Sequence, residues 1–136
     1  MDEYLAVART AAREAGRIHA DAFRTNLRIE HKSPDDIVTD VDRRAEAAIH
    51  DRIRQAFPDH AILAEETGEE TQNGSSYRWI VDPLDGTTNF VRGIPHFCVS
   101  IALEIDGLLA VGVVFDLLPR LKSRESHHGI SGRAWP

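Results

Sequence analysis

Apolar positions early in the chain recur at intervals of three and four. Leu5, Ala8, Ala11, Ala12, Ala15, Ile18, Ala22 and Phe23 predict one amphipathic helix over residues 3–24. Asp2 and Glu3 suit the positive end of its dipole. The alanine-rich face lets a neighbouring element approach closely. His19 reads as a partly exposed, structural helix residue. Leu27-Arg28-Ile29-Glu30 then alternates as a short strand, and Lys32-Ser33-Pro34-Asp35-Asp36 breaks it as a loop. A second helical stripe, Ala45, Ala48, Ile49, Ile53 and Phe57, runs to Pro58. Thr39, three residues ahead of Asp42, is placed to cap this helix, with Asp42 facing the free N–H groups of the first turn.

After Pro58 the period shortens. Ala61-Ile62-Leu63-Ala64 predicts a strand that ends in Glu65-Glu66, and Trp79-Ile80-Val81 predicts a buried strand. Residues 68–76 are polar and acidic around an Asn73-Gly74 turn, which predicts an exposed, mobile connection. The runs 96–103 and 108–115 should pair as an antiparallel hairpin across Glu104-Ile105-Asp106-Gly107. Beyond Asp116 no period is sustained. Residues 117–136 are therefore expected to form a divergent, poorly ordered tail.

Composition narrows the function. The chain has 136 residues, 42% of them hydrophobic, enough for one domain. A net charge of -6, from 22 acidic and 16 basic residues, argues against a nucleic-acid binder. No apolar stretch has membrane-span or signal-peptide length. Cys98 is the single cysteine, lies in an apolar run and reads as a small buried hydrophobe. With no partner for a disulfide, it points to the reducing cytoplasm.

The chemistry gathers where the third apolar run stops. Asp82 and Asp85 sit at the strand's end with Pro83 turning the backbone between them. Two hard anionic ligands three residues apart on a turn can grip divalent cations, with the Leu84 carbonyl as a third oxygen. N–H groups after Gly86 can hold a phosphate oxygen. Metal ligands beside a phosphate cradle imply metal-assisted phosphate ester chemistry. The competing reading of the same residues is an Asp-Pro turn followed by a capped helix. At Glu65-Glu66 another strand delivers acid at its end, and alternation lets only one of the pair enter a given site. His96 reads as a packing or hydrogen-bonding residue, because a carboxylate-rich ligand set favours magnesium over zinc. His127-His128 has no third ligand nearby.

Asp82-Pro83-Leu84-Asp85-Gly86-Thr87-Thr88-Asn89-Phe90 resembles the first signature of the inositol monophosphatase family, and Pro95-His96-Phe97-Cys98-Val99-Ser100-Ile101-Ala102 looks like its bacterial branch. The resemblance covers about residues 5–116. It implies the N-terminal half of a layered αβαβα sandwich: an α/β fold with two helices packed on a largely antiparallel sheet. It further implies a magnesium-dependent phosphomonoesterase acting on inositol monophosphate. Glu65, Asp82, the Leu84 carbonyl and Asp85 would be metal ligands, Glu65 being selected over Glu66. Gly86 and Thr87 would steady the phosphate, while Asp42 and Thr87 would activate water. Lys32 would either approach the phosphate or remain a solvated loop residue. Related phosphatases acting on histidinol phosphate, fructose bisphosphate or nucleotide 3′-phosphate share similar first signatures.

The resemblance ends after Asp116, and no later Trp-Asp pair matches the family's second signature. A frameshift or truncation is the expectation that follows, and with it a non-catalytic remnant or interaction protein as the alternative function. Expected partners are a small phosphorylated substrate, no nucleic acid and no membrane; a homodimer is compatible with them.

Overall fold

A computed structural model of the chain describes residues 1–65, 68, 70, 71, 74–116 and 130–132. The alanine stripe folds as α1 (Asp2–Ala22), which buries Ala8, Ala11, Ala12, Ala15, Gly16, His19 and Ala22. These positions lie on one helical face, and His19 shares it. The expected partly exposed His19 is therefore wrong: the residue is 1% exposed. Its spacings of three from Ala22 and four from Ala15 already put it on the apolar stripe.

The segment expected as strand then loop folds differently. β1 (Ile29–Ser33) pairs antiparallel with β2 (Asp36–Thr39), so Lys32 and Ser33 belong to a strand and only Pro34 and Asp35 make the turn. β1 is exposed along its whole length, which is why no apolar alternation announced its extent. α2 (Asp40–Ala56) follows directly, capped by Thr39 as the spacing predicts.

The main sheet has the strand order β4-β3-β5-β6-β7-β8, formed by β3 (Ala61–Ala64), β4 (Glu70–Thr71), β5 (Tyr77–Asp85), β6 (Cys98–Ile105), β7 (Leu108–Phe115) and β8 (Ile130–Gly132). Among the described residues only β3 and β5 run parallel; the other pairings are antiparallel. A short helix, α3 (Thr87–Val91), follows β5. The β6–β7 turn is tighter than expected. β6 continues to Ile105, and Asp106 and Gly107 turn with φ of 52° and 79°, the left-handed pair that suits a two-residue hairpin.

Both long helices cover one face of this sheet. Their alanines and isoleucines pack on Trp79, Val81, Val99, Ile101, Leu103, Val111, Val113 and Phe115. The alternate strand positions, including Ile80 and Ala102, are partly exposed on the opposite face, and Val114 is exposed there. Within the expected mobile connection, Glu70 and Thr71 form β4 on the edge of β3, while residues 69, 72 and 73 lie outside the described residues. Of the expected tail, residues 130–132 pair with β7 as β8; residues 117–129 and 133–136 lie outside the described residues, and His127 and His128 with them.

α1 meets the sheet most closely at Gly16, where an added Cβ would stand 2.1 Å from Phe115 Cε1. Phe115 is itself buried between α1 and the sheet, so it has little room to retreat. Gly16→Ala is expected to destabilise the fold by about 1–3 kcal/mol in urea unfolding, despite alanine's better helix propensity. Phe115→Leu in the same chain should recover part of that loss.

Candidate active site

The site is built where α2 begins and β5 ends. Thr39 Oγ1 accepts from the N–H groups of Val41 and Asp42 at 3.2 and 3.3 Å and donates to Asp42 Oδ2 at 2.6 Å. Thr39 N–H donates to the same Asp42 oxygen at 2.9 Å, which completes a reciprocal capping box. The second oxygen, Asp42 Oδ1, accepts from Thr87 Oγ1 at 2.9 Å, across 45 residues of sequence. Asp42 is fully buried, so these donors replace water around its carboxylate.

β5 brings the remaining acids. Its pairing with β6 is regular to Asp82, shifts, and resumes at Asp85 opposite Cys98. This irregularity lets the backbone turn at Pro83 while both carboxylates stay near one strand end. Leu84 N–H donates to Asp82 Oδ1 at 3.3 Å, and the Leu84 carbonyl stands 3.1 Å from Thr87 Oγ1, a second acceptor for that hydroxyl. Gly86 takes φ of 92° and leads into α3, whose first residue is Thr87.

Beneath the turn lies an apolar platform of Ala22, Val41, Leu84, Phe90 and Phe97. His19 joins it to α1, its Nε2 donating to the Pro83 carbonyl at 2.8 Å in the tautomer that satisfies both groups. Burial lowers the His19 pKa to about 4 against the opposing pull of the Pro83 carbonyl and the Asp42 charge. The ring is therefore neutral near neutral pH. Sequence reading missed this anchor, although the helical stripe signalled it.

The charged groups are crowded. Burial pushes the Asp82 carboxyl up to about 8, reinforced by a hydrogen bond with Glu65 and by the charges of Glu65 and Asp85, while the Leu84 N–H opposes the shift. Acids gathered at one strand end, Asp82 partly buried and Glu65 and Asp85 exposed, offer the all-oxygen donors that suit a hard divalent cation. They do not form a closed coordination shell: among the described residues no group of three His, Cys, Asp or Glu side chains is arranged to hold a metal. Glu65 is exposed at the end of β3, its N–H bonded to the Val81 carbonyl at 3.0 Å.

The other candidates separate. Lys32 is exposed on β1. His96 is exposed and lines a cavity with Asp85, while its carbonyl accepts from Asn89 Nδ2 at 3.0 Å. Cys98 is half-buried rather than buried, and burial together with nearby acids pushes its thiol up to about 12, away from nucleophilic use. No helix among the described residues is long and apolar enough to cross a membrane.

Two helices over a largely antiparallel sheet, with an acidic turn at one strand end, define a layered α/β protein of phosphatase architecture. The chain belongs to the inositol monophosphatase family, whose sequence profile matches residues 1–133. It is 47% identical over 118 residues to Nus factor SuhB of Pasteurella multocida, an alignment covering 85% of this chain and 44% of that protein. It is 43% identical over 120 residues to inositol monophosphatase 2 of Solanum lycopersicum, covering 85% and 45%. The crystal structure of extragenic suppressor protein suhB from Bartonella henselae superposes with a TM-score of 0.82 at 42% identity, over 85% of this chain and 46% of that one. The chain thus spans less than half the length of the curated relatives it matches.

His19 supplies a test of the platform. Its folded pKa of about 4 lies below the ordinary histidine value of 6.5, so the unfolded chain binds more protons between those two values. The group's contribution to stability is complete above that window and declines as pH falls from 6.5 towards 4, by at most about 1.4 kcal/mol per pH unit. His19→Gln should flatten this part of the profile in urea titrations at successive pH values. An unchanged slope would mean that the His19 proton does not differ between folded and unfolded chains.

Proposed function

We propose that this chain carries the metal- and water-orienting part of a magnesium-dependent phosphomonoesterase site, with inositol monophosphate as the substrate. The observation that carries the reading is the hydrogen bond from Thr87 to the buried Asp42. Thr87 Oγ1 has only oxygen acceptors on its inner side, so its proton points inward, to Asp42 or to the Leu84 carbonyl. Lone pairs on Thr87 Oγ1 then remain to receive a proton from a water molecule held outside. Asp42, fixed by Thr39, is the base behind Thr87 that draws that proton away as the water attacks phosphorus.

Glu65, Asp82 and the Leu84 carbonyl would hold one magnesium ion, and Asp82 with Asp85 would contribute to a second. Bound there, the metal supplies positive charge to the phosphate oxygens and lowers the pKa of attacking water. The environment of Asp82 supports this assignment, because a cation offsets both the burial and the neighbouring acids that raise its pKa. Gly86 and Thr87, at the head of α3, would present N–H groups to the phosphate. No covalent intermediate is required. A cytoplasmic setting belongs to the same reading and is supported by the lone, unpaired Cys98.

One observation favours a second reading, a non-catalytic interaction role. The face of the sheet opposite the helices exposes Val114 and leaves Ile80 and Ala102 partly exposed, in a chain aligned to 44% of a relative named a Nus factor. Phosphate release from inositol 1-phosphate by the purified 136-residue chain, with and without magnesium, separates the two. Asp42→Asn should lower turnover by about 10²- to 10⁴-fold while the magnesium-induced rise in melting temperature persists. Asp85→Asn should abolish that rise. A folded sample that releases no phosphate in magnesium would overturn catalysis by this chain and leave the interaction role.

A further inference from the structure

At the other end of β5 from the acidic turn lies a histidine that the chemistry above does not use. Phe57, Pro58, Asp59 and His60 carry the chain from α2 into β3, and His60 N–H closes the turn on the Phe57 carbonyl at 3.2 Å. The His60 ring stacks on two others. Phe57 lies 4.7 Å away at 8°, and Tyr77, the first residue of β5, lies 4.4 Å away at 5°. Tyr4, in the first turn of α1, packs against all three rings at 5.2 to 5.9 Å. One ring thus sits where α1, the end of α2 and the start of β5 meet.

This ring is an acceptor. Trp79 Nε1–H donates to His60 Nδ1 at 3.0 Å. Trp79 is fully buried, whereas His60 is half-buried and open to solvent. With Nδ1 accepting, the ring's own proton is at Nε2 and the ring is neutral. A proton taken up from solvent goes to Nδ1, the basic atom of that neutral ring. Both nitrogens are then donors, so no rotation of the ring returns an acceptor to the indole. The Trp79 N–H is left without its partner in a dry place, which is costly for a buried donor. His19 behaves differently: its Nε2 is already a donor to the Pro83 carbonyl, and protonation keeps that bond.

The surroundings hold His60 in the neutral form. Burial lowers its pKa below the ordinary 6.5, against the opposing pull of Asp59 on the turn and Glu3 on α1. Phe57 carries no charge. A hydrogen bond with Tyr77 raises the Tyr4 pKa from its ordinary 10, so the Tyr4 hydroxyl keeps its proton wherever His60 titrates. Arg78 and Glu104 face each other at 3.7 Å on the opposite face of the sheet. The contribution of neutral His60 to stability is complete above 6.5 and is lost as pH falls through the lower folded value.

We infer that His60 is a proton-operated latch: the neutral ring accepts the Trp79 indole N–H and holds the corner of α1, α2 and β5 closed, and proton uptake at Nδ1 releases that bond and loosens the corner without unfolding the sheet. No residue assigned to metal or phosphate takes part, so the latch stands independently of the phosphatase reading.

The test follows the full 136-residue chain by NMR from about pH 8 to about pH 4.5, reading the His60 ring and the Trp79 indole N–H in one sample. Trp135→Phe identifies the Trp79 signal. Both signals should move together with one midpoint below 6.5, and hydrogen-exchange protection of the indole N–H should fall about five- to hundredfold across it. Far-UV ellipticity should hold through the transition. His60→Gln, whose side-chain carbonyl accepts at every pH, should keep the indole protected and abolish the transition. His60→Phe, which keeps a stacked ring without an acceptor, should show the low protection already at the alkaline end. A His60 ring that titrates with no change at the indole, or that stays neutral throughout, would overturn the inference. So would a transition that survives in His60→Gln, or one in which ellipticity is lost in step.

Discussion

A buried carboxylate is tolerable only when donors replace the water it has lost, and the order of this molecule around its site follows from how Asp42 meets that demand. Two of its donors come from Thr39 and the third from Thr87. The first two cap α2; the third fastens α2 to the turn between β5 and α3. Capping and site assembly are therefore one interaction. The start of α2 cannot shift without leaving either its own amides or the buried Asp42 Oδ1 without a partner, and both losses cost more than a surface rearrangement.

The same economy governs the underside of the turn. Pro83 has no N–H to offer a neighbour, and its carbonyl faces the protein interior, where His19 satisfies it. Around that contact the rings of Phe90 and Phe97 stand 5.9 and 5.7 Å from the His19 ring, filling the space between α1 and α3. Asp82 and Asp85 thus sit on a backbone supported from below by an apolar platform and from the side by Asp42.

How much of this was legible in the sequence depends on the range of the contacts. Period and capping signals are local, and the two long helices, Thr39 as the cap and the strands around Trp79 follow from them. The far end of β1, its partner β2 and β4 escaped because an exposed strand, a four-residue strand and a two-residue edge strand carry little burial pattern to read. The pairing of Asp42 with Thr87 spans 45 residues. No periodicity brings those residues together, and resemblance to the inositol monophosphatases alone suggested their partnership. His19 lies between these cases. Its spacing was local and pointed to the buried face, but its polar character argued for solvent until the Pro83 carbonyl supplied a partner. The contact between Asn89 and His96 was hidden for a simpler reason: it is made to a backbone carbonyl, a group every residue has.

The contacts that order the site share one property. His19, Thr39, Asp42, Pro83, Leu84, Thr87, Asn89 and His96 find the partners described above within residues 1–97. The helix cap and the link from Asp42 to Thr87 are therefore set within residues 39–87, while the acid-bearing turn also leans on β6 through the pairing of Asp85 with Cys98. Sheet pairing with β6 and β7 buttresses this arrangement by fixing β5, but the orientation of the Thr87 hydroxyl is decided closer at hand. Orientation is the costly part of a site in entropy, since it must exist before a ligand arrives. In this chain part of that cost is met by the hydrogen bonds that also cap α2 and fasten it to the turn after β5, so the orientation of the Thr87 hydroxyl comes with folding.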